Sequence, residues 1–361
     1  MKKLFYVCIL ALTLLGACSK EKVSNTDLGT IPSDMNTGSS VTAKQTLAVS
    51  AEFAYGADIS WWPQMEAKGY IWKNSSGIQK DLLDILKEKG INSVRLRTFV
   101  NPSTDSIKGH CSDGETVALA LRCKKAGLRV MIDFHFGDSM NSVGEQVPPA
   151  AWANMTYAQM RTAMSTYVYH FMNLMKYYKV TADWIQIGNE ENLGICGYVG
   201  SFAYNPVQMT GLLNIAYDQI KAVSPSTQVI VHLAQPQKLT AVENWFDTYK
   251  ANGGKWDISG FSSYASSIDA PGIAPNFSTI QTRYGKPVMV VEVGGPTNKP
   301  SQTASTIKTY INYLRDTMPT GTGLGVFYWE PEVYTPFWYW ENTAWDATTK
   351  MPTAAMNAFI H

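Results

Sequence analysis

The sequence has little excess charge of either sign. Its 30 lysines and arginines nearly balance 29 aspartates and glutamates, so the formal net charge is +1 and charged residues make up 16% of the chain. A nucleic-acid surface needs a basic excess, and a disordered chain needs more charge and fewer apolar residues than the 45% present here. We therefore expect a globular protein that does not bind nucleic acid.

Cysteines are few, and phosphate-binding loops are missing. Past Cys18 the chain has only Cys111, Cys123 and Cys196, an odd number whose spacings match no zinc pattern. Cys111 and Cys123 could form a disulfide, but the sequence indicates neither a disulfide framework nor a cysteine nucleophile. No Gly-rich turn follows the first predicted strand and no P-loop occurs. These absences argue against a doubly wound nucleotide-binding sheet.

The N-terminus has the layout of a secretory signal. Residues 1–17 contain two lysines and then an apolar run too short to span a membrane. The following "LGAC" matches a bacterial lipobox, so Cys18 is the predicted site of lipidation; a plain signal peptide is the alternative. Residues 18–50, rich in Ser, Thr, Asn and Lys, are predicted to form a flexible tether. We expect a membrane-anchored lipoprotein that is exposed at the cell surface.

Residues 51–361 alternate short apolar runs with helical periods. Between the runs lie amphipathic stretches such as "IQKDLLDILKEKG" and "ETVALALRCKKAG", which end at Gly90 and Gly127. Eight strand–helix pairs in about 310 residues predict one single-domain α/β fold, a (β/α)8 TIM barrel. The predicted strands are residues 53–60, 91–100, 128–136, 182–190, 228–234, 257–264, 287–294 and 323–331.

Polar side chains gather where the predicted strands end, which is where a barrel of this kind builds its active site. Glu190 closes the fourth strand and Glu292 the seventh, so the two acids should face each other across the mouth. Two facing carboxyls suit glycosidic bond cleavage, with a separation of about 5 to 5.5 Å for retention and about 6.5 to 9.5 Å for inversion. The alternative is that both are surface acids that cap helices. The other strand-end residues are Asp58, Arg95, Arg97, Asp133, His135, Asp138, Asn189, Tyr264, Trp329 and Glu330.

Several neighbours of the two glutamates have competing interpretations. Arg97 beside Glu292 could lower the pKa of that carboxyl, or it could be an ordinary strand-end arginine. His135 fits a hydrogen-bonded pocket histidine better than a metal ligand. Glu191 and Glu330 are the acids that compete with the proposed pair, and Pro331 makes Glu330 a loop acid rather than a nucleophile.

Aromatic residues suggest the substrate class. Tryptophans follow the first and eighth strands in "SWWPQ" and "YWEPEVYTPFWYWENTAW", and indole faces suit the apolar C–H faces of sugar rings. A row of indoles beside two acids would hold a polysaccharide in an open cleft, although loop aromatics can also plug a barrel end. The residues concerned are Trp61, Trp62, Trp329, Trp338 and Trp340.

The motifs "GADIS", "VRLRTFVNP", "VMIDFHF", "GEQVPPAAW", "DWIQIGNE", "KPVMVVEVG" and "GVFYWEP", in this order from Phe53 onward, resemble glycoside hydrolase family 53, the arabinogalactan endo-β-1,4-galactanases. The resemblance implies that Glu190 is the acid/base, that Glu292 is the nucleophile of a retaining reaction, and that Asn189 bonds the sugar 2-hydroxyl. It implies that Tyr264 and Arg97 orient Glu292. It also implies that Asp58, His135 and Asp138 line the cleft and that Trp329 forms the floor under the sugar. The aromatic pattern adds Trp62 as a predicted substrate contact.

The chain departs from the family pattern after the fourth and sixth strands. "ENLGICGYVG" lacks the family's tryptophan loop, and "SSYASSIDAPG" lacks its Pro, Phe and Trp segment. Some relatives hold a structural calcium late in the barrel, but "GGPTNKPSQT" supplies no carboxylate run, so no metal or cofactor is expected. Two rivals stay open, namely another endo-β-1,4-glycanase such as a mannanase or cellulase and a non-catalytic glycan-binding barrel. A monomer is expected.

Overall fold

A closed parallel barrel forms the centre of the protein. The computed structural model describes residues 52–361, so the predicted signal peptide, the tether and Cys18 lie outside the described residues. Eight parallel strands close the barrel, and each pairs with its neighbours in chain order until β8 meets β1. They are β1 (Ala54–Asp58), β2 (Ser93–Thr98), β3 (Arg129–Phe134), β4 (Trp184–Ile187), β5 (Gln228–Ala234), β6 (Ile258–Ser263), β7 (Val288–Val293) and β8 (Gly323–Trp329).

All eight predicted strands are confirmed, and the single (β/α)8 barrel with them. Most are one to three residues shorter at the ends than predicted. The largest difference is at β4, where residues 182–190 were expected and Trp184–Ile187 are extended. The strand stops there because Gly188, at φ 110°, and Glu190, at φ 50°, leave the extended region of backbone conformation.

Helices surround the barrel and cover the outer faces of its strands. Ser112 and Thr156 begin two of them with capping boxes. Gly90 and Gly127 follow the ends of the second and third helices with φ values of 86° and 83°, as predicted. The helices are α1 (Trp62–Ala67), α2 (Leu82–Glu88), α3 (Asp113–Lys125), α4 (Tyr157–Tyr177), α5 (Pro206–Val223), α6 (Leu239–Ala251), α7 (Ala270–Tyr284) and α8 (Pro300–Asn312).

The barrel interior has an apolar layer beneath a polar one. The large rings of Trp184 and Phe327 fill the lower layer, and Gly56 is required beside them because a Cβ there would lie 2.1 Å from the Phe327 ring. The apolar side chains fill this layer. The polar side chains nearer the carboxyl ends of the strands therefore form the floor of an open mouth. The apolar layer contains Ala54, Met131, Trp184, Ile230, Ile258, Met289, Val291 and Phe327.

The described residues contain free thiols and no membrane span. Cys111, Cys123 and Cys196 are buried and unpaired, so Cys111 and Cys123 do not form a disulfide. Within residues 52–361 no helix is both long and apolar enough to cross a bilayer.

Candidate active site

The guanidinium of Arg95 lies at the centre of the polar layer. Arg95 is 1% exposed, and its Nη1 donates to Asp58 Oδ2 at 2.9 Å and to Glu292 Oε2 at 3.2 Å. Its Nη2 donates to Asn189 Oδ1 at 2.8 Å and forms an ion pair with Asp133 Oδ2 at 2.8 Å. Burial disfavours the charged form, but the surrounding carboxylates raise the pKa of Arg95, so it stays a cation. One buried charge thus joins β1, β3, β4 and β7.

Glu292 sits at the end of β7 and is 7% exposed. Tyr264 Oη donates to Oε1 at 2.7 Å and Arg95 donates to Oε2, so both partners are donors that suit a carboxylate. Burial raises the pKa of Glu292 to about 8, and the nearby charge of Glu190 adds to this, whereas Arg95 and Tyr264 oppose it. Each carboxyl oxygen is therefore held in place by a donor.

Glu190 follows β4 in a left-handed backbone conformation, at φ 50° and ψ 56°. This conformation is uncommon for a residue with a side chain and needs support from its surroundings. Gln146 supplies it, because its Nε2 donates to the carbonyls of Asn189 at 2.8 Å and of Glu190 at 3.1 Å. The backbone N–H of Val143 donates to Glu190 Oε2 at 2.8 Å. The loop between β3 and α4 therefore fixes both the backbone and the carboxylate of Glu190.

Asn189 is bound on several sides. Its Oδ1 accepts from Arg95, and its Nδ2 donates to the carbonyl of Asn141 at 2.8 Å. His232 Nδ1 lies 3.1 Å from Asn189 Oδ1, and His232 Nε2 lies 2.6 Å from Ser262 Oγ. Burial, together with the charge of Arg95, places the pKa of His232 well below its ordinary value, so this imidazole is neutral.

His232 is a residue of the site that the sequence analysis does not identify. Its position near the end of β5, five residues into "QVIVHLA", was the available signal, since a histidine inside an otherwise apolar strand needs polar partners. Gln146 was missed because it lies in a loop with no periodicity. Both residues support the strand-end pair of Asn189 and Glu190.

Arg97 does not contact Glu292, which corrects the prediction that it orients that residue. Its Nη1 forms an ion pair with Glu330, and Asp58 Oδ1 lies 3.5 Å away. Its guanidinium lies 4.4 Å from the ring centroid of Trp61. Arg95 and Arg97 point to the same side of β2, and the tilt of the strands carries Arg95 to β7 and Arg97 to β8.

Asp58 is also corrected, because it does not line the cleft. It is fully buried, and its carboxylate accepts from Arg95 and from Ser60 Oγ at 2.6 Å. Glu330 is fully buried as well and accepts from the backbone N–H of Trp61. Glu330 is thus a structural partner of Arg97, in agreement with the prediction that it is not the nucleophile.

His135 and Asp138 both hold loops of the mouth. His135 is 5% exposed, accepts from the backbone N–H of Asn141 at 2.9 Å through Nδ1, and has Nε2 3.0 Å from Asp133 Oδ2. Asp138 is half-buried and accepts from the backbone N–H groups of Asn101 at 3.0 Å and Ala150 at 2.9 Å. Both acceptor oxygens of Asp138 are therefore occupied by the protein, which fits a positioning role better than the predicted substrate contact.

Tryptophans from the end of β8 and from the segment that follows it form one wall of the mouth. Trp329, Trp338 and Trp340 are all partly exposed, and the rings of Trp338 and Trp340 stack with centroids 5.4 Å apart. The rings of Trp340 and Tyr264 meet edge to face, with their centroids 6.2 Å apart. Because Tyr264 binds Glu292, this contact places the wall on the Glu292 side of the site. We call Trp329, Trp338 and Trp340 the tryptophan wall.

Trp62 is not part of this wall, and the prediction that it binds substrate is wrong. It is 0% exposed in α1, and the guanidinium of Arg122 covers its ring at 3.6 Å. Trp61 is 1% exposed and donates from Nε1 to the carbonyl of Ile107 at 3.0 Å. The first helix starts immediately at these residues, so their side chains enter the core instead of a loop.

Glu191, the nearest competitor of Glu190, points away from the mouth. It is fully buried against Gly188, where a Cβ would lie 2.0 Å from Glu191 Oε1. Burial raises the pKa of Glu191 well above its ordinary value, so it is a neutral acid in the protein interior. The described residues contain no group of three or more His, Cys, Asp or Glu side chains arranged to hold a metal ion. Two carboxyls, Glu190 and Glu292, are left at the mouth for acid–base and nucleophilic chemistry.

We predict that Arg95→Met destabilises the fold by about 3 to 5 kcal/mol, because it leaves buried carboxylates without their counter-charge. Arg283→Met is the matched control. Arg283 pairs with Asp247 on the surface with 47% of its side chain exposed, and it should cost less than about 1 kcal/mol. Urea unfolding measures both changes, and equal losses for the two variants would contradict the central role of Arg95.

Comparison with known proteins places the chain in a family. The chain is 28% identical over 357 residues to an arabinogalactan endo-β-1,4-galactanase from Cellvibrio japonicus, covering 88% of this chain and 92% of that protein. A family 53 catalytic domain from Ignisphaera aggregans superposes with a TM-score of 0.78 at 26% identity, covering 86% of this chain and 96% of that one. A solved fungal β-1,4-galactanase has the same fold, with a TM-score of 0.77 at 23% identity, and covers 86% of this chain and 100% of that one. The sequence model of glycosyl hydrolase family 53 matches residues 54–359, and the protein belongs to this family.

Proposed function

We propose that the protein is an endo-acting galactanase that hydrolyses β-1,4-galactosidic bonds in galactan and in type I arabinogalactan. The observation that carries the proposal is that Arg95 holds Glu292 and the neighbour of Glu190, Asn189, with the two arms of one guanidinium. The two glutamates therefore share one pocket at the mouth. Two relatives are named as endo-β-1,4-galactanases, and these names support the choice of galactan as the polymer.

The reaction we propose is a double displacement with retention at the anomeric carbon. Glu190 gives its proton to the glycosidic oxygen while a Glu292 oxygen attacks the anomeric carbon, so the C–O bond to the leaving sugar breaks and a galactosyl ester forms on Glu292. Glu190 then takes a proton from water, and the hydroxide attacks the same carbon and releases Glu292 as a carboxylate. Every proton and electron pair in the cycle is supplied by the two glutamates and water.

Neighbouring residues would favour the transition state over the ground state. Tyr264 and Arg95 hold the two oxygens of Glu292 so that one can attack without reorienting. One N–H of the Asn189 amide donates to the carbonyl of Asn141. The other N–H would donate to the 2-hydroxyl of the sugar. The indole rings of the tryptophan wall would pack against the apolar faces of the sugars on the Glu292 side.

We further propose that the enzyme is a monomeric lipoprotein at the cell surface. Both glutamates and all their partners come from one barrel, which supports a monomer as the active unit. The "LGAC" motif supports lipidation of Cys18, and residues 19–50 would then separate the barrel from the membrane. An endo-acting enzyme is most useful outside the cell, because the intact polymer is too large to enter a pore.

The first test of the catalytic pair is the release of reducing ends from unbranched β-1,4-galactan, β-mannan and β-glucan. We predict activity on galactan, and a loss of about 10²- to 10⁴-fold in kcat for Glu190→Gln and for Glu292→Gln. Glu145→Gln, an exposed acid on the same loop that holds Glu190, is the control and should keep wild-type activity. Unchanged turnover in either catalytic variant would overturn the roles, and a preference for mannan or glucan would overturn the substrate.

The second test follows the titration of Glu292. A dinitrophenyl β-galactobioside needs no acid for departure of the phenolate, so its burst rate reports the Glu292 carboxylate alone. Burial raises the pKa of Glu292, so the burst rate should increase with pH at values above the ordinary range of a glutamate. Glu190→Gln removes a like charge and should move this rise to lower pH. Tyr264→Phe removes a hydrogen-bond donor to Glu292 and should move the rise of the burst rate to higher pH. If both variants shifted the rise in the same direction, the assignment of Glu292 would be contradicted.

The third test concerns the anchor. In a bacterial host with lipoprotein processing, the wild-type protein should incorporate an alkyne-labelled fatty acid and sediment with membranes. Cys18→Ser should lose the label and appear in the soluble fraction, because no acyl chains then hold it to the bilayer. Cys8→Ser, inside the predicted signal peptide, is the control and should still be labelled. A label that persists in Cys18→Ser would refute Cys18 as the acylated residue.

A further inference from the structure

Two tyrosines on the loop after β4 are exposed and in contact with each other. Tyr198 is 72% exposed and Tyr204 is 73% exposed, with ring centroids 5.7 Å apart and an angle of 33° between the rings. Two large rings that face water together leave apolar surface uncovered, and such surface on a catalytic face is typical of a binding site.

The loop that carries these rings is held in shape by its own hydrogen bonds. Gly194–Ile195 pairs antiparallel with Gly200–Ser201. The carbonyl of Tyr198 accepts from Asn205 Nδ2 at 2.7 Å and from the backbone N–H of Ser201 at 3.2 Å. Binding to the rings would therefore order few groups and would cost little conformational entropy.

The same loop packs against the segment that holds Glu190. A Cβ on Gly197 would lie 3.3 Å from Pro148 Cδ and 3.7 Å from the carbonyl of Gln146. Gln146 in turn donates to the carbonyls of Asn189 and Glu190. The tyrosine pair is thus on the Glu190 side of the mouth. The tryptophan wall is on the other side, next to Tyr264 and Glu292.

The two sides receive different ends of a polymer. Glu292 attacks the anomeric carbon of the sugar that stays on the enzyme, and Glu190 protonates the oxygen that departs with the leaving sugar. Sugars on the non-reducing side of the cleaved bond therefore lie toward the tryptophan wall. Sugars on the leaving-group side lie beyond Glu190, in the direction of the tyrosine pair.

We propose that Tyr198 and Tyr204 form a sugar-binding platform for the leaving-group side of a β-1,4-galactan chain. This inference rests on the proposed galactanase function and deepens it. Each ring would stack on the apolar face of a galactose unit. The platform binds substrate and takes no part in the chemistry of bond cleavage.

The test compares two substrates in one double variant. Unbranched β-1,4-galactan reaches the leaving-group side, whereas an aryl β-galactobioside places only a phenol there. We expect Tyr198→Ala/Tyr204→Ala to lower kcat/KM on galactan about tenfold, as the loss of two aromatic stacking contacts implies, and to change kcat/KM on the aryl substrate less than about twofold. Tyr198→Phe/Tyr204→Phe keeps both rings and should restore activity on galactan.

The control is Tyr169→Ala/Tyr177→Ala, which removes two exposed tyrosines, 53% and 62% exposed, from α4 on the outside of the barrel. This control variant should leave kcat/KM unchanged on both galactan and the aryl substrate. Equal losses on galactan and on the aryl substrate, or no loss on galactan, would overturn the platform. A folded wild-type enzyme that releases nothing from galactan would instead overturn the proposed function, so the two failures are distinguishable.

Discussion

The buried cation of Arg95 is the interaction on which the rest of the site depends. It is surrounded by Asp58, Asp133 and Glu292 and by the amide of Asn189, all within 3.2 Å. Carboxylates this deeply buried would otherwise repel one another or take up protons. Burial favours the neutral acid of Asp133, but the charge of Arg95 and the hydrogen bond from His135 keep the pKa of Asp133 below its ordinary value. The charge balance and the geometry of the mouth are therefore set by one side chain.

The surroundings of the two glutamates differ in a way that matches their roles. Glu292 accepts hydrogen bonds from the side chains of Arg95 and Tyr264, which rise from β2 and from the end of β6. Glu190 is held by a loop, through the backbone N–H of Val143 and the amide of Gln146. A nucleophile needs an oxygen fixed within reach of one carbon. An acid/base must serve first a leaving sugar and then a water, and a mostly backbone-held carboxylate at the open edge can do both.

The strand-end pair could be predicted because parallel strands of a closed barrel bring their carboxyl ends to one face. The arginine that serves Glu292 could not be predicted in this way. Arg95 and Arg97 are two residues apart on β2, so their side chains share one face and no pattern distinguishes them. The tilt of the strands decides which acid each one meets. Trp62 was assigned to the cleft because a strand end precedes it, but α1 begins at that residue and turns its ring into the core.

The sequence by itself determined the architecture, because hydrophobic alternation and glycine positions are local properties that do not depend on which elements later meet. It also determined that Asn189, Glu190 and Glu292 lie at the mouth, since each is the polar end of an apolar run. Only the tertiary structure decided which charges are neighbours, because the contacts of Arg95, Arg97 and His232 join strands that are far apart in the chain. Buried electrostatics depend on distances of a few ångströms, and those distances arise from strand tilt and packing.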